Sequence, residues 1–256
     1  MRRATPRTAF LAVVHAALAQ IETNARGVLE SDNAEFLHQL RVGMRRLRSA
    51  LRAFRDALPP KSAKRLVRTL RRLSPKLGRA RDWDVLVGRL EASNASADLV
   101  SNACLERDRA RKAARQAIAS KEFASFGRDA RSVAADDSRQ NLRQFGAAAL
   151  TRAQRKLMKR ARGIDWRDAG ERHAMRIRIK RLRYSCEFFA TAFAARRAAP
   201  YIAALKALQE ILGELNDIAV GRRLLGFDAD ETALLRKLAP AWAALAKRPV
   251  FWRAAG

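Results

Sequence analysis

The sequence predicts an all-α protein made of two related helical halves. Ala, Leu and Arg dominate its 256 residues, β-branched residues are sparse, and no segment alternates between apolar and polar residues as a half-buried strand does. A pattern of histidine, basic and apolar residues occurs twice, 135 positions apart. The composition therefore favours helices throughout, and the repeat favours two bundles of similar construction.

Prolines, glycines and polar clusters divide the chain into predicted helices. The breaks fall at Pro59-Pro60, around Gly127 to Asp137, near Gly163 to Asp165, before Pro200, at Gly226 to Asp228 and at Pro249. We expect helices at residues 5–27, 32–58, 60–80, 82–92, 97–120, 138–162, 167–195, 200–225 and 229–247. Asp32 and Glu35 have the spacing of a capping box at the start of the second helix.

The first twenty residues, MRRATPRTAFLAVVHAALAQ, could pass for a signal peptide, because basic residues precede a short apolar run and an Ala-x-Ala. His15 interrupts that run. Thr5 and Pro6 instead have the form of an N-cap followed by a first-turn proline, so we interpret the segment as the first helix. No apolar run approaches the ~20 residues of a membrane span.

The two copies of the repeated pattern align without a gap when the sequence is shifted by 135 residues. From residue 34 to residue 90, sixteen of 57 positions are identical, including His38 with His173 and Arg41 with Arg176. LGRARD (77–82) also aligns with LGELND (212–217). We therefore expect one domain at residues 5–250, with pseudo-twofold-related halves at about 5–125 and 137–250.

One face of the first copy is apolar and the adjacent face is basic. Apolar residues recur at spacings of three and four and predict a buried stripe: Leu37, Leu40, Met44, Leu47, Leu51 and Phe54. Basic residues recur at the same spacing one position later, about 100° round the helix: His38, Arg41, Arg45, Arg48, Arg52 and Arg55. Arg46 adds a further cation to the motif.

The second copy repeats both faces over a shorter length. Its predicted core residues are Met175, Ile179, Leu182, Cys186 and Phe189. Its candidate binding residues are His173, Arg176, Lys180, Arg181 and Arg183. Glu187 aligns with Arg52, so the first half should carry the longer basic surface.

The next predicted helix of each half adds weaker candidates. In the first half they are Arg68, Arg72, Lys76 and Arg79. In the second half only Lys206 remains basic, so any basic groove is asymmetric. Asp82 and Asp217 could cap a helix or orient an arginine of the basic face. A separate basic run, residues 152–162, precedes the second copy.

The charge balance indicates a polyanionic partner. The chain has 53 Lys+Arg against 25 Asp+Glu, for a net charge of +28. Such an excess suits nucleic acid, an anionic membrane or a phosphate polymer, and arginine suits phosphate because its guanidinium can donate two parallel bonds. The alternative is a solvated basic face. Two cysteines without metal-ligand spacing, Cys104 and Cys186, are expected to be reduced and largely buried.

The two histidines of the repeat have three interpretations: a buried structural residue, a metal ligand or a phosphate contact. His38 has one candidate ligand at that spacing, Glu35, and His173 has no Cys, His or Glu three or four residues away, so neither histidine has the set of ligands that a metal site requires and we expect no metal. Both histidines share the phase of the arginines, which favours contact with phosphate.

The motifs LHQLRVGMRRLRSALRAF and HAMRIRIKRLRYSCEFF, with LGRARDWDVL, LQEILGELND and PVFWR, resemble the CHAD family, the conserved histidine α-helical domain. The resemblance covers almost the whole chain. It implies two helical-bundle halves around a basic central channel, binding of inorganic polyphosphate, and a cytoplasmic protein associated with polyphosphate granules. Some relatives carry a fused triphosphate-tunnel metalloenzyme domain, whose Glu-x-Glu-x-Lys signature does not occur in this sequence.

Three functions remain to be compared. We expect non-catalytic polyphosphate binding, without a cofactor and without a membrane partner. Nucleic acid bound non-specifically by the same basic surface is the alternative, although aromatic residues are only 7% and those near the basic faces keep the phase of the core. Phosphoryl transfer would need clustered carboxylates or a nucleophile beside the cations, and the basic segments contain neither.

Overall fold

The computed structural model describes residues 5–93, 95–133, 141–226 and 229–253. These residues form nine α-helices and no strand, which confirms the all-α prediction. The helices are α1 (Pro6–Glu30), α2 (Ala34–Ala53), α3 (Pro60–Ala92), α4 (Ala97–Ile118), α5 (Lys121–Ser132), α6 (Leu142–Ala161), α7 (Ala169–Phe189), α8 (Ala195–Leu225) and α9 (Thr232–Lys247). Short 3₁₀ turns follow α2 and α7, at Arg55–Ala57 and Ala190–Ala192.

The chain divides into two compact units. In the N-terminal unit, Phe10–Asp137, α3 is the common neighbour of α2, α4 and α5. In the C-terminal unit, Ser138–Gly256 with Met1–Ala9, α7 packs on α6 and α8, and α8 packs on α9. The basic segment of each unit, α2 or α7, thus packs against the long helix that follows it.

The apolar stripes of both basic helices are buried as predicted. In α2, Leu40 and Leu47 are fully buried, and Phe54, the C-cap residue, packs on Phe10 with ring centroids 5.5 Å apart. In α7, Met175, Ile179, Leu182, Cys186 and Phe189 all have zero exposure. Burying a Leu or Phe side chain contributes about 1.5–3 kcal/mol, so these stripes fix the rotation of each basic helix about its axis.

The third predicted helix does not end at residue 80. One helix, α3, continues through the LGRARDWD motif to Ala92. Leu77, Trp83 and Leu90 are buried along its whole length, so its packing on neighbouring helices overrides the expected break. Asp82 therefore lies inside α3 and is not an N-cap. Asp217 lies inside α8 and is not an N-cap either.

The break predicted before Pro200 is also wrong. Helix α8 begins at Ala195, and Pro200 lies in its second turn. A proline there removes one bond, to the carbonyl four residues earlier, and its fixed φ is otherwise compatible with a helix. Ala198 and Tyr201, on either side of Pro200, are buried, and this burial holds the first turns in helical form.

A helix that the sequence analysis missed, α5, occupies most of the break predicted from Gly127 to Asp137. Ser120 caps it by accepting a hydrogen bond from the backbone N–H of Phe123 at 3.2 Å. Phe126 and Ala130 are buried and attach the helix to its unit. Asp137 lies outside the described residues.

The N-cap prediction for α1 is confirmed, and that for α2 is wrong by one residue. Thr5 Oγ1 accepts from the backbone N–H of Thr8 at 3.2 Å, directly before Pro6. At α2 the capping side chain is Asn33, which accepts from the backbone N–H of Glu35 at 2.9 Å. Asp32 instead contacts Arg115 at 2.7 Å.

The remaining predicted breaks agree with the structure where it describes them. Gly163 and Gly226 have φ values of 66° and 65°, a left-handed conformation that suits glycine, and they lie just beyond the ends of α6 and α8. Phe227 and Asp228 lie outside the described residues. Helix α9 ends before Pro249. Within the described ranges, no helix is both long and apolar enough to cross a bilayer.

Candidate phosphate-binding surface

The basic face of α2 lies at the edge of the buried core. His38, Arg41, Arg45 and Arg48 are half-buried, whereas Arg52 is exposed. Their positions follow from the apolar stripe, because residues one position after a buried residue lie about 100° away on the helix. The stems of these side chains pack on the protein, and their charged ends form a row along α2.

Three of these arginines line a cavity of about 130 Å³ between α2 and α3. Arg41, Arg45 and Arg48 supply the cations, and Ser74 of α3 adds a hydroxyl. Met44 and Leu77 complete the lining with apolar surface. The cavity is a partly desolvated site with several donors and no carboxylate among its lining residues, so it suits an anion.

Gly78 of α3 makes room for one of these arginines. A Cβ atom at this position would lie 2.8 Å from Nη1 of Arg41, closer than real Cβ atoms approach other atoms. The glycine of the LGRARD motif therefore allows the guanidinium of Arg41 to lie against the backbone of α3.

The surroundings of Arg48 disfavour its charge. Burial and the nearby Arg71 of α3 both lower the pKa of Arg48, and among the described residues no acidic side chain pairs with it. Burial is the larger cause. A cation held in this way gains more from a bound anion than a fully hydrated one does.

His38 lies at the other end of the row, beside a further arginine. Burial lowers the pKa of His38, and Arg81 of α3 is the next cause, with smaller contributions from Arg45 and Arg41. Glu35 acts in the opposite direction. The neutral imidazole that results near pH 7 can donate one hydrogen bond to a phosphate oxygen.

The C-terminal unit repeats part of this arrangement. Gly213, aligned with Gly78, lies opposite Arg176, aligned with Arg41, and a Cβ there would lie 3.8 Å from Nη2. His173 is exposed, and its Nδ1 lies 2.7 Å from Oδ1 of Asn216. Because an amide oxygen only accepts, Nδ1 is the donor in this contact, and Nε2 faces away from Asn216.

The basic face of α7 is shorter, because acidic residues neutralise its far end. Arg183 pairs with Glu187, donates to Oε1 of Gln209 at 2.8 Å and lies over the ring of Tyr184. Its side chain is 15% exposed. Lys180 is buried, and Lys206 of α8 lies 4.0 Å from Glu210. The N-terminal unit therefore carries the more strongly cationic site.

The remaining predicted site residues do not line the cavity. Arg72 and Arg79 contact Glu122 of α5 at 2.6 Å and Glu106 of α4 at 3.5 Å. Arg68 and Lys76 lie on the same outer side of α3, because residues 68, 72, 76 and 79 are three or four positions apart. Two others, Arg46 and Arg181, lie on the opposite flank of their helices from the basic row, and Nε of Arg46 is buried without a partner among the described residues.

Three residues next to the α2 row were absent from the predicted site: Arg71, Ser74 and Arg81. With Gly78 they recur at spacings of three and four along α3. This spacing would predict the three residues if Gly78 were known to face α2. The sequence, however, does not show which face of α3 meets α2. Among the described residues, no group of three or more His, Cys, Asp or Glu side chains is placed to hold a metal ion.

Comparison with known proteins identifies the family. The family model described as CHAD domain matches residues 12–226. The chain is 31% identical to the CHAD domain from the plant Ricinus communis, whose crystal structure superposes with a TM-score of 0.73 over 98% of this chain and 90% of that one. The chain belongs to the CHAD domain family.

A second solved structure shares the fold of this CHAD protein. PptA from Streptomyces chartreusis is 17% identical and superposes with a TM-score of 0.63, over 94% of this chain and 98% of that one. No curated protein sequence matches the chain.

Proposed function

We propose that this CHAD protein binds inorganic polyphosphate without acting on it. The observation that carries the proposal is the cavity lined by Arg41, Arg45 and Arg48, beside Arg71 and without an acidic neighbour among its lining residues. A phosphate chain presents only anionic oxygens, so clustered guanidinium groups are sufficient to bind it. The family's association with polyphosphate supports the same conclusion, and binding would recruit the protein to cytoplasmic polyphosphate granules.

The lining of the cavity favours a bare phosphate chain over nucleic acid. Proteins that bind single strands usually stack the bases on aromatic side chains, and the cavity contains none. Its non-basic surface is limited to Met44, Ser74 and Leu77. At about 130 Å³ the site has room for phosphate units, whereas a nucleotide would also have to place a sugar and a base.

The same lining argues against phosphoryl transfer. Hydrolysis or transfer needs a metal, a general base or an activated nucleophile beside the cations. The cavity includes a single hydroxyl, Ser74, and no carboxylate, histidine or cysteine. Binding alone is therefore the activity that this set of residues supports.

A titration series tests the proposal. Long-chain polyphosphate, single-stranded DNA and duplex DNA, matched for phosphate, are each titrated at low and at physiological salt. Polyphosphate should keep the higher affinity at the higher salt, because a shaped, partly desolvated site is screened less than an open surface. If all three ligands bind alike and dissociate together as salt rises, the protein is a generic polyanion binder and the proposal is wrong.

Replacing Gly78 with alanine should separate the binding site from fold stability. The new Cβ displaces the guanidinium of Arg41, while alanine is favoured over glycine inside a helix by about 1 kcal/mol. We expect an unchanged or higher Tm together with a weaker affinity for polyphosphate, by about tenfold for one charge-assisted bond.

Gly213→Ala is the matched control, because its Cβ would lie at an ordinary contact distance from Arg176. It should leave polyphosphate affinity within about twofold of the unmodified protein. Equal affinity losses in the two variants, measured by calorimetric titration, would show that the close approach of Arg41 to Gly78 does not matter for binding.

A further inference from the structure

A second basic surface lies on α6, in the C-terminal unit. The helix has no acidic residue in its twenty positions. Arg155, Lys156 and Lys159 are exposed, and with Arg152 they lie within about 100° of one another on the helix. Arg162, just beyond the helix, is exposed and extends the row. We name Arg152, Arg155, Lys156, Lys159 and Arg162 the α6 face.

Four of the five residues of the α6 face differ from several exposed arginines of the N-terminal unit in the charges near them. There, Arg65 pairs with Asp129, Arg109 with Glu106, and Arg131 with Glu22. Among the described residues, by contrast, no acid pairs with Arg155, Lys156, Lys159 or Arg162. The nearest ion pair on α6, Arg160 with Glu171 at 3.5 Å, lies at the edge that faces the core.

Helix stability does not account for this arrangement. The helix dipole favours a cation in the last turn, which covers Lys159. Arg155 and Lys156 are a turn or more farther from the end, and like charges four residues apart destabilise a helix by a few tenths of a kcal/mol. The row thus slightly destabilises the helix in the isolated protein, and a bound polyanion would offset this destabilisation.

We propose that the α6 face binds the phosphate backbone of duplex nucleic acid without sequence preference. The row is rigid, because Phe145, Leu150 and Leu157 fix the other side of α6 in the core. From Arg152 to Arg162 it extends about 15 Å, less than half a turn of duplex. It can therefore contact several successive phosphates of one strand.

The chemistry of the face disfavours other polyanions. It has no aromatic residue on which unpaired bases could stack, since Phe145, the aromatic residue of α6, is buried. A helix that binds a membrane surface exposes large apolar residues beside its cations. Leu142, Phe145, Leu150 and Leu157 of α6 are buried instead, and Met158 is half-buried.

The test compares two triple variants that remove the same charge. Arg155→Gln with Lys156→Gln and Lys159→Gln changes the α6 face. Arg65→Gln with Arg109→Gln and Arg131→Gln removes three exposed, acid-paired arginines elsewhere. Binding of a short duplex DNA is measured over a series of salt concentrations, and long-chain polyphosphate and vesicles containing anionic lipid are titrated in parallel.

The α6 variant should bind duplex DNA at least about tenfold more weakly, and its slope of log affinity against log salt should fall by about 3, near 0.9 for each lost phosphate contact. The control variant should keep the unmodified slope, and polyphosphate affinity should stay within about twofold in both. An unchanged slope in the α6 variant, or an equal fall in the control, overturns the proposal. So does a loss of vesicle or polyphosphate binding in the α6 variant that matches its loss of duplex binding.

Discussion

Replacing Arg45 and Arg48 together with glutamine will lower the affinity for long-chain polyphosphate by about 100-fold. Each arginine lines the cavity, and each lost charge-assisted hydrogen bond costs about 1.5–3 kcal/mol. Folding should not suffer, because the pKa of Arg48 is lowered by burial and by Arg71, so its charge already opposes the folded state. We therefore expect a Tm equal to or above that of the unmodified protein, measured beside the binding titration.

Arg72→Gln with Arg79→Gln is the matched comparison, since it removes the same charge from the outer side of α3. Those arginines contact Glu122 and Glu106 and do not line the cavity. The pair should lower polyphosphate affinity by less than about threefold, through net charge alone. If it matches the loss in the Arg45 and Arg48 variant, the cavity is not a specific site, because the outer side of α3 then contributes equally to binding.

Replacing Arg111 with methionine will destabilise the N-terminal unit by about 3–5 kcal/mol, the usual cost of leaving a buried charge without its partner. Arg111 contacts Oδ1 of Asp84 at 2.7 Å, and the Asp84 side chain is 1% exposed. The other carboxylate oxygen of Asp84 is buried without a partner among the described residues. Chemical denaturation of the variant at pH 7 measures the change.

The cost of Arg111→Met should fall as the pH falls. Burial raises the pKa of Asp84, and Arg111 acts in the opposite direction. Without Arg111, the pKa of Asp84 in the folded protein rises further above its value in the unfolded chain. The folded form therefore binds the Asp84 proton more tightly than the unfolded form does. Relative to the unmodified protein, the variant is therefore least stable above the raised pKa and recovers stability as the pH falls through it.

Two further variants test the cause of this effect. Arg111→Met with Asp84→Asn removes both charges and should recover part of the lost stability. Arg109→Met removes an arginine that is 75% exposed, and it should change stability by no more than about 1 kcal/mol. A loss in Arg111→Met no larger than in Arg109→Met would show that the Asp84 pair does not hold α4 against α3.

The Asp84 pair also explains part of the LGRARDWD motif in structural terms. Gly78 and Arg81 lie beside the α2 row, whereas Asp84 binds Arg111 of α4 on another side of α3. Trp83, which stands between Arg81 and Asp84 in the sequence, is buried. One segment of α3 thus serves both the candidate site and the attachment of α4.

The sequence by itself determined the helical class, the buried and basic faces of α2 and α7, and the repeat. Helical periodicity is local, so the spacing of Leu40, Met44 and Leu47 specifies which side of α2 is buried, and Arg41, Arg45 and Arg48 follow at a fixed angle. The repeat also aligned Gly78 with Gly213 from the sequence alone.

Only the tertiary structure decided which basic residues meet. A helix presents several polar faces, and its own sequence does not specify which of them turns toward a neighbour, because the packing of the whole core sets that rotation. Arg71 and Arg81 therefore lie beside the α2 row, while Arg72 and Arg79 meet acids on α5 and α4. The predicted end of α3 and the predicted start of α8 were wrong for the same reason. The side chains of α3 and α8 pack against neighbouring helices, and this packing overrides the helix-ending signals at Asp82 and Pro200.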